Sequence, residues 1–292
     1  MKKFLIGLVF LFTACTPVVD NGKVDVVVTV GMLGDVVRNV GGDLVEVVDL
    51  MGPGVDPHLY KASFNDTGLL ENAEAIFYVG LHLEAKMAEF LEELSAQKKV
   101  VAVGESLDKS LLRENDPHVW FDVELWSGVI EPVVVSLSEI DPANAEIYRA
   151  NGEKYLAELL ALDVWVSDYV ADLPEEKRVL VTAHDAFGYF GDAYGFEVLG
   201  VQGISTAADY GLQDLERLID VIVERQVKAI FVESSVSGQS IEALRQGVVA
   251  KGFDVEIGGS LFSDAMGALD TPEGTYVGMV KYNVKSIIDA LR

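Results

Sequence analysis

Three histidines and one aspartate follow separate strand-like runs of the chain and could together hold a metal ion. The 292 residues contain four histidines. The residues in question are His58 and His118, each ending an Asp-Pro-His tripeptide, His184, and Asp264. Three imidazoles and one carboxylate form a plausible four-ligand set for Zn²⁺ or a similar first-row divalent ion. The single cysteine rules out an internal disulfide and any Cys₄ or Cys₂His₂ zinc module.

Further carboxylates lie close to these histidines in the sequence. Asp56 and Asp116 open the two Asp-Pro-His tripeptides, and Glu233 ends a strand-like run. A carboxylate of this kind can accept a hydrogen bond from the imidazole N–H and so orient a metal ligand. Asp56 and Asp116 could equally cap a turn or helix, and Glu233 could be an ordinary helix-cap acid. The fourth histidine, His82, is expected at the rim of the site rather than in it.

Strand-like and helix-like segments alternate along the chain in two sets. The apolar runs of the two sets cover 24–30, 44–50, 75–79 and 100–103, then 178–182, 196–201, 229–232 and 253–257. Apolar strands separated by helices predict parallel sheets covered on both faces, so the fold class is α/β with two lobes of roughly four strands each. Open α/β sheets place ligands beyond the carboxyl ends of their strands. The four candidate ligands are therefore expected in the cleft between the lobes.

A single long helix is predicted between the two sets, over roughly 142–171. Apolar or aromatic positions recur there at helical spacing, at Tyr148, Tyr155, Leu159, Leu162, Val166 and Tyr169. Thirty helical residues would measure about 45 Å, long enough to run along both lobes. The expected organisation is an N-terminal lobe at 24–140, a linking helix at 141–173 and a C-terminal lobe at 174–292.

The N-terminus has the pattern of an export signal. Lys2 and Lys3 precede an apolar run at 4–12, which is too short to span a membrane. Leu11-Phe12-Thr13-Ala14-Cys15 resembles a lipobox, with Phe12 in place of the usual Leu or Val. We expect a signal peptide at 1–14, lipidation of Cys15 and a tether at 15–23. The alternative is an ordinary signal peptide followed by a stray cysteine.

The composition narrows the class of partner. The 22 Lys and Arg against 47 Asp and Glu give a formal net charge of −25. A folded surface this acidic repels nucleic acid and anionic lipid, so no nucleic-acid partner is expected. The chain also lacks the G-x-G-x-x-G, P-loop, H-E-x-x-H and G-x-S-x-G motifs.

Taken in order, the motifs resemble those of a known family. They are Asp-Pro-His58-Leu-Tyr, Gly-Leu-His82-Leu-Glu, Asp-Pro-His118-Val-Trp-Phe-Asp, Thr-Ala-His184-Asp-Ala-Phe-Gly-Tyr-Phe and Leu-Phe-Ser-Asp264-Ala-Met-Gly. The series is similar to that of the TroA-like and ZnuA-like solute-binding lipoproteins of bacterial zinc/manganese ABC importers. The resemblance implies two α/β lobes joined by a backbone helix, with His58, His118, His184 and Asp264 as metal ligands.

Two features place the chain between the family's subtypes. Manganese-dedicated members commonly carry a carboxylate where this chain has His184. Many zinc-dedicated members have a His-rich loop before the second Asp-Pro-His, whereas residues 105–115 here contain no histidine. The pattern is closest to the TroA-like one.

The function implied is capture of Zn²⁺ or Mn²⁺, one ion per chain, outside the cytoplasm. A lipid-anchored monomer would deliver the ion to the membrane permease of an ABC importer. Four protein ligands leave no open position for an activated water, so an enzyme is not expected. Two alternatives stay open: a zinc-dependent envelope hydrolase with Glu233 as base, and an adhesin-type surface lipoprotein with a structural metal.

Overall fold

The computed structural model describes residues 22–208 and 211–292. The expected signal peptide and Cys15 lie outside the described residues. Over the described ranges, no helix is long and apolar enough to cross a membrane.

The N-terminal lobe is built on one four-stranded parallel sheet in the order β2-β1-β3-β4. Its central strand is the run Val-Asp-Val-Val-Val-Thr-Val, six of whose seven residues are buried, as expected for a strand covered on both faces. The strands are β1 (Val24–Val30), β2 (Val45–Met51), β3 (Ala75–Tyr78) and β4 (Lys99–Ala102). The helices are α1 (Gly31–Gly41), α2 (Phe64–Asn72), α3 (Ala88–Ser95), α4 (Val123–Ser127) and α5 (Ile130–Ile140).

The C-terminal lobe also has four strands, arranged as two parallel pairs. β5 pairs with β6, β7 pairs with β8, and β5 lies beside β7. The strands are β5 (Val179–His184), β6 (Glu197–Gln202), β7 (Ala229–Glu233) and β8 (Glu256–Leu261). The helices are α7 (Gly188–Tyr194), α8 (Leu212–Arg225), α9 (Gln239–Ala250) and α10 (Tyr276–Leu291). The predicted α/β class with two lobes is confirmed.

One long helix, α6 (Ala145–Ala171), joins the lobes after a 3₁₀ turn at Pro142–Asn144. It packs against α1, α4 and α5 of the first lobe and against α10 of the second. The predicted stripe is buried at Tyr148, Tyr155, Leu159, Leu162 and Val166. A hydrogen bond of 2.5 Å from the Tyr155 hydroxyl to the buried Asp35 carboxylate adds a polar contact with the first lobe. The helix therefore forms part of both cores.

Outside the linking helix, the sequence predicts helices over 83–97, 123–140 and 272–291, with Thr271 as cap of the last, and a helix that Ser63 caps and that runs to Asn72. Three of these boundaries differ in the structure. The helix expected from Leu83 begins only at Ala88, because Gly80, Leu81 and His82 all have positive φ and form a left-handed turn. The Glu84 carboxylate holds this turn by accepting hydrogen bonds from the backbone N–H groups of Val79 and Gly80 and from the Thr29 hydroxyl, at 2.6–3.0 Å.

The other two differences follow from prolines and caps. The helix expected over 123–140 is divided into α4 and α5, since Pro132 has no N–H to continue the bonding across Gly128. Thr271 was expected to cap the last helix, but Pro272–Gly274 is a 3₁₀ turn and the Thr275 side chain caps α10 instead. Ser63 caps α2 as predicted.

Candidate metal centre

The four predicted ligand side chains meet between the two lobes. His118 Nε2 lies 3.3 Å from both His58 Nε2 and Asp264 Oδ1, and His184 Nε2 lies 3.3 Å from Asp264 Oδ2. One donor atom from each residue falls within 4.8 Å of all the others. A tetrahedral ion with bonds of ~2.0–2.2 Å places its ligand atoms roughly 3.3–3.6 Å apart. The three contacts of 3.3 Å therefore have the length that a bound divalent ion requires.

Strand ends bring these residues together. His184 is the last residue of β5, and Asp264 follows β8 by three positions. His58 follows β2, and His118 follows β4 after a longer connection. Because the strands of both lobes direct their carboxyl ends towards the cleft, each lobe supplies two of the four side chains.

The donor atoms are buried and several have no partner. His58 is 5% exposed, and the other three residues are 1% exposed or less. Among the described residues, His184 Nε2 and both Asp264 carboxylate oxygens have no hydrogen-bond partner. Burying an unpaired carboxylate is costly, and a cation at the centre of these atoms would offset that cost. The donor set thus fits a divalent ion.

The Asp116 carboxylate fixes the orientation of His118. Asp116 Oδ1 lies 2.7 Å from His118 Nδ1 and also accepts the backbone N–H of His118 at 3.1 Å. An imidazole that donates from Nδ1 carries its free lone pair on Nε2, which is the atom facing Asp264. This contact therefore sets the tautomer that a metal needs.

The Glu233 carboxylate has the same relation to His184. Glu233 Oε2 lies 2.5 Å from His184 Nδ1, while Oε1 accepts the backbone N–H of His184 at 2.8 Å. Glu233 ends β7, which lies beside β5, so adjacent strand ends place the two residues side by side.

The Asp56 carboxylate is used differently. Asp56 Oδ1 accepts the backbone N–H of His58 at 2.9 Å, and Oδ2 accepts the Thr206 hydroxyl from the other lobe at 2.6 Å. Asp56 thus shapes the backbone around His58 and connects its loop to the segment after β6.

The carboxylates set the electrostatics of the cluster. Burial lowers the pKa of His58 to about 4. For His184, burial also lowers the pKa, but the charges of Asp264 and Glu233 outweigh it and hold the pKa well above the ordinary value. Burial raises the pKa of Asp264, yet the neighbouring His184 and His118 bring it well below its usual range. The cluster therefore favours positive charge at its centre.

A second group of contacts crosses the cleft beside His118. The Arg113 guanidinium hydrogen-bonds Asp116 Oδ2 at 3.1 Å and Asp192 of the C-terminal lobe at 2.7 Å. The Tyr189 hydroxyl donates to the Asp116 carbonyl at 3.1 Å and accepts the Arg113 backbone N–H at 2.9 Å. The loop that carries His118 is thus attached to the opposite lobe.

His82 takes no part in the cluster and its side chain is exposed. Three further residues, Thr206, Tyr189 and Arg113, were not expected from the sequence. Thr206 and Tyr189 contact the two aspartates across the cleft, so their roles depend on how the lobes face each other. Arg113 contacts Asp116 within its own loop and Asp192 across the cleft.

Comparisons with known proteins agree with this architecture. Residues 26–290 match the family model described as ZnuA, the periplasmic component A of the zinc-uptake complex. The manganese-binding lipoprotein MntA of Bacillus subtilis (strain 168) is 47% identical over 276 residues, covering 92% of this chain and 90% of the relative. The zinc-binding protein TroA of Treponema pallidum (strain Nichols) is 49% identical over 276 residues, covering 93% and 90% respectively.

The solved structure of Treponema pallidum TroA superposes with a TM-score of 0.90, covering 92% of this chain and 99% of that one. The family match spans most of the described residues, and the structural match covers both lobes and the helix between them. The resemblance read from the motifs is confirmed: the chain belongs to the ZnuA family of metal-binding, solute-binding components of ABC metal importers.

Proposed function

We propose that this chain captures one divalent transition-metal ion, Zn²⁺ or Mn²⁺, between its lobes and delivers it to the permease of an ABC importer. The observation that carries the proposal is the buried set of three imidazoles and one carboxylate, contributed equally by the two lobes, with unpartnered donor atoms facing one another. The ligands proposed are His58, His118, His184 and Asp264, with Asp116 and Glu233 orienting two of the imidazoles and Asp56 shaping the loop of the third.

Transport rather than catalysis follows from the ligand count. Four protein ligands complete a tetrahedral shell, whereas a hydrolytic metal keeps one position for water. Glu233, the base suggested for a hydrolase, lies 2.5 Å from His184 Nδ1 and accepts its backbone N–H. A carboxylate engaged in this way supports the imidazole and is poorly placed to activate water.

The division of the ligands also suggests how capture and release work. An ion shared by both lobes adds metal–ligand bonds across the cleft, so the bound form is the more tightly closed one. Release then requires the two pairs of ligands to separate. The helix α6 is packed into both lobes, so we expect the separation to involve mainly the ligand loops.

The proposed location rests on the N-terminal sequence. The chain would be exported, cleaved before Cys15 and anchored to a membrane by lipid on that cysteine. Expression in a lipoprotein-processing bacterium tests this: the native chain should sediment with membranes, and Cys15→Ala should not. Equal sedimentation of both forms would contradict the lipid anchor.

Metal titration tests the capture function. Calorimetry on the metal-free chain should show one tight Zn²⁺ site. Asp264→Asn, which keeps the shape of the side chain and removes its charge, should weaken binding by more than about 100-fold, beyond the effect of changing an outer carboxylate. His82→Ala is the matched control, since His82 is exposed, and should bind as the native chain does. Two equal sites, or unchanged binding in Asp264→Asn, would contradict the ligand set.

The choice between the two metals rests on the nitrogen content of the site. Three imidazoles favour Zn²⁺ over Mn²⁺ by the Irving–Williams order, and metal supply in the cell can override that preference. His184→Glu adds a hard oxygen ligand and should narrow the zinc preference in competition titrations. An unchanged ratio would remove His184 from the proposed shell.

A further inference from the structure

The indole of Trp120 connects the two loops that carry His118 and Asp264. Trp120 lies two residues after His118 in a 3₁₀ turn, Val119–Phe121, and it is fully buried. Its ring meets the His118 imidazole edge to face, with centroids 5.3 Å apart and an interplanar angle of 74°. Position in the turn and ring contact together make Trp120 and His118 one packed unit.

Trp120 is hydrogen-bonded to the opposite lobe through both its side chain and its backbone carbonyl. Trp120 Nε1 donates to the Ser263 carbonyl at 2.9 Å, and Ser263 directly precedes Asp264. The Tyr276 hydroxyl, at the start of α10, donates to the Trp120 carbonyl at 2.6 Å. We call these two hydrogen bonds the Trp120 bridge. They are buried, so water does not replace them while the cleft is closed.

The segment that receives the bridge is itself firmly held within its own lobe. The Asn283 side chain accepts the Phe262 N–H at 2.9 Å and donates to the Phe262 carbonyl at 2.7 Å. The Ser263 hydroxyl pairs with the Ser235 hydroxyl at 2.9 Å. Just before Asp264, the backbone of residue 262 is therefore held by its own lobe, whereas the carbonyl of residue 263 is held by the N-terminal lobe.

We propose that Trp120 is a positioning residue for metal retention, and that loss of the Trp120 bridge is a required step of metal release. The bridge joins His118 to Asp264 through one intervening residue, one side chain and one hydrogen bond. These two ligands cannot separate far while that short connection is intact. The inference rests on the proposed metal-capture function and adds a specific residue that controls the rate of release.

Trp120→Phe tests the bridge with a matched control. Phenylalanine keeps an aromatic ring against His118 and removes the indole N–H, leaving the buried Ser263 carbonyl unpaired. Trp126→Phe creates a similar loss of volume nearby, but Trp126 Nε1 has no hydrogen-bond partner among the described residues, so no bond is lost. The probe is the full chain loaded with Zn²⁺ and mixed rapidly with excess chelator.

The expected result is a zinc dissociation rate about tenfold faster in Trp120→Phe, as for loss of one buried hydrogen bond, with the association rate unchanged. Trp126→Phe should remain within about twofold of the native chain. Tyr276→Phe removes the other half of the bridge by deleting a single oxygen and should also accelerate release, which keeps the test valid if Trp120→Phe folds poorly.

Two outcomes overturn the bridge. The first is a native dissociation rate in both Tyr276→Phe and Trp120→Phe; if Trp120→Phe does not fold, a native rate in Tyr276→Phe alone counts. The second is an equal acceleration of zinc dissociation in Trp120→Phe and Trp126→Phe. The second would mean that lost volume, rather than the hydrogen bond, matters. Failure of the native chain to bind zinc at all would instead overturn the proposed function, so the two failures are distinguishable.

Discussion

The aspartate of the second Asp-Pro-His loop orients an imidazole, whereas the corresponding aspartate of the first loop bonds the backbone of its own loop and a side chain across the cleft. Asp116 Oδ1 lies 2.7 Å from the His118 ring, while Asp56 bonds the His58 backbone and Thr206. In both loops the aspartate accepts the N–H of the histidine, at 3.1 Å and 2.9 Å. The tripeptide therefore dictates the shared backbone contact, and the surroundings dictate the rest.

The neighbours of each loop account for the difference. At Asp116, the Arg113 guanidinium donates a hydrogen bond to Oδ2 and the Tyr189 hydroxyl donates one to the backbone carbonyl, so Oδ1 is left to contact the imidazole. Around Asp56, Thr206 takes one oxygen and the His58 amide takes the other. The two copies of the motif consequently differ: Asp116 orients the His118 ring, whereas the orientation of the His58 ring depends more on the metal itself.

The largest expected effect is shared by the two loops. His58→Ala and His118→Ala each remove a nitrogen ligand and should lower zinc affinity by more than about 100-fold, beyond the effect expected for an outer carboxylate. Competition with a chromophoric chelator measures both values on the same scale. Native affinity in either variant would show that its loop does not supply a ligand.

The aspartates should separate the loops more clearly. Asp116→Asn replaces the acceptor on His118 Nδ1 by an amide and should weaken zinc binding by about 10–100-fold, the range for groups that orient a metal ligand. Asp56→Asn changes no group that contacts an imidazole ring, so it should lower zinc affinity by less than about tenfold. Glu233→Gln should follow Asp116→Asn, because Glu233 contacts His184 in the same way. Equal losses in Asp56→Asn and Asp116→Asn would show that the two contacts are equivalent.

Much of this arrangement could be predicted from the sequence, and the reasons are local. Short Val-rich runs such as 24–30 favour strands buried on both faces, because β-branched residues pack well on a sheet, and a residue that follows such a strand lies at the ligand edge of the sheet. His184 and Asp264 could be placed for that reason. The stripe through Tyr155 and Leu159 identified α6 because helical periodicity over that length has no other physical origin.

The remainder depended on contacts between distant segments. Nothing near Asp56 in the sequence indicates that residue 206 will approach it, and nothing near Trp120 indicates Ser263. The left-handed turn at Leu81 and His82 was missed because its cause is the Glu84 carboxylate, which binds the turn only after folding back onto it. The predicted helix ends were wrong where a proline interrupted the helix or a later threonine became the cap, as Thr275 does for α10.

Acid should distinguish the histidines of the two loops. Burial lowers the pKa of His58 to about 4, so His58 stays neutral in the metal-free protein through the mildly acidic range. For His118, burial lowers the pKa, but the neighbouring Asp116 and Asp264 carboxylates outweigh it and raise the pKa above its ordinary value. A metal must then displace a proton from His118 but not from His58. Zinc affinity should fall as pH drops through the raised pKa, by about tenfold per pH unit for each proton displaced.

Imidazole NMR titration of the metal-free chain measures this difference directly. His118 should take up its proton at a higher pH than an ordinary imidazole, and His58 only near pH 4. Asp116→Asn should lower the pKa of His118 because it removes the negative partner, while Asp56→Asn should leave His118 unchanged. A His58 ring that titrates near pH 6.5 would contradict its burial, and a zinc affinity that is flat from pH 7.5 to 5 would contradict histidine ligation.

The smallest effect concerns the hydroxyls that attach each loop to the opposite lobe. Thr206 serves the first loop and Tyr189 the second. Thr206→Val and Tyr189→Phe each remove a hydroxyl at nearly constant shape, and each should raise the zinc dissociation rate about threefold, the low end for one hydrogen bond. Thr206→Ser retains the hydroxyl and should behave as the native chain. Thr206 contacts a carboxylate that does not touch a ring, so Thr206→Val should leave the His118 pKa unchanged. Tyr189→Phe removes hydrogen bonds to the Asp116 carbonyl and the Arg113 backbone N–H, which hold the loop that places the Asp116 carboxylate against His118, and should shift that pKa. An equal pKa shift in both variants would mean that the loops are coupled through the cluster rather than attached independently.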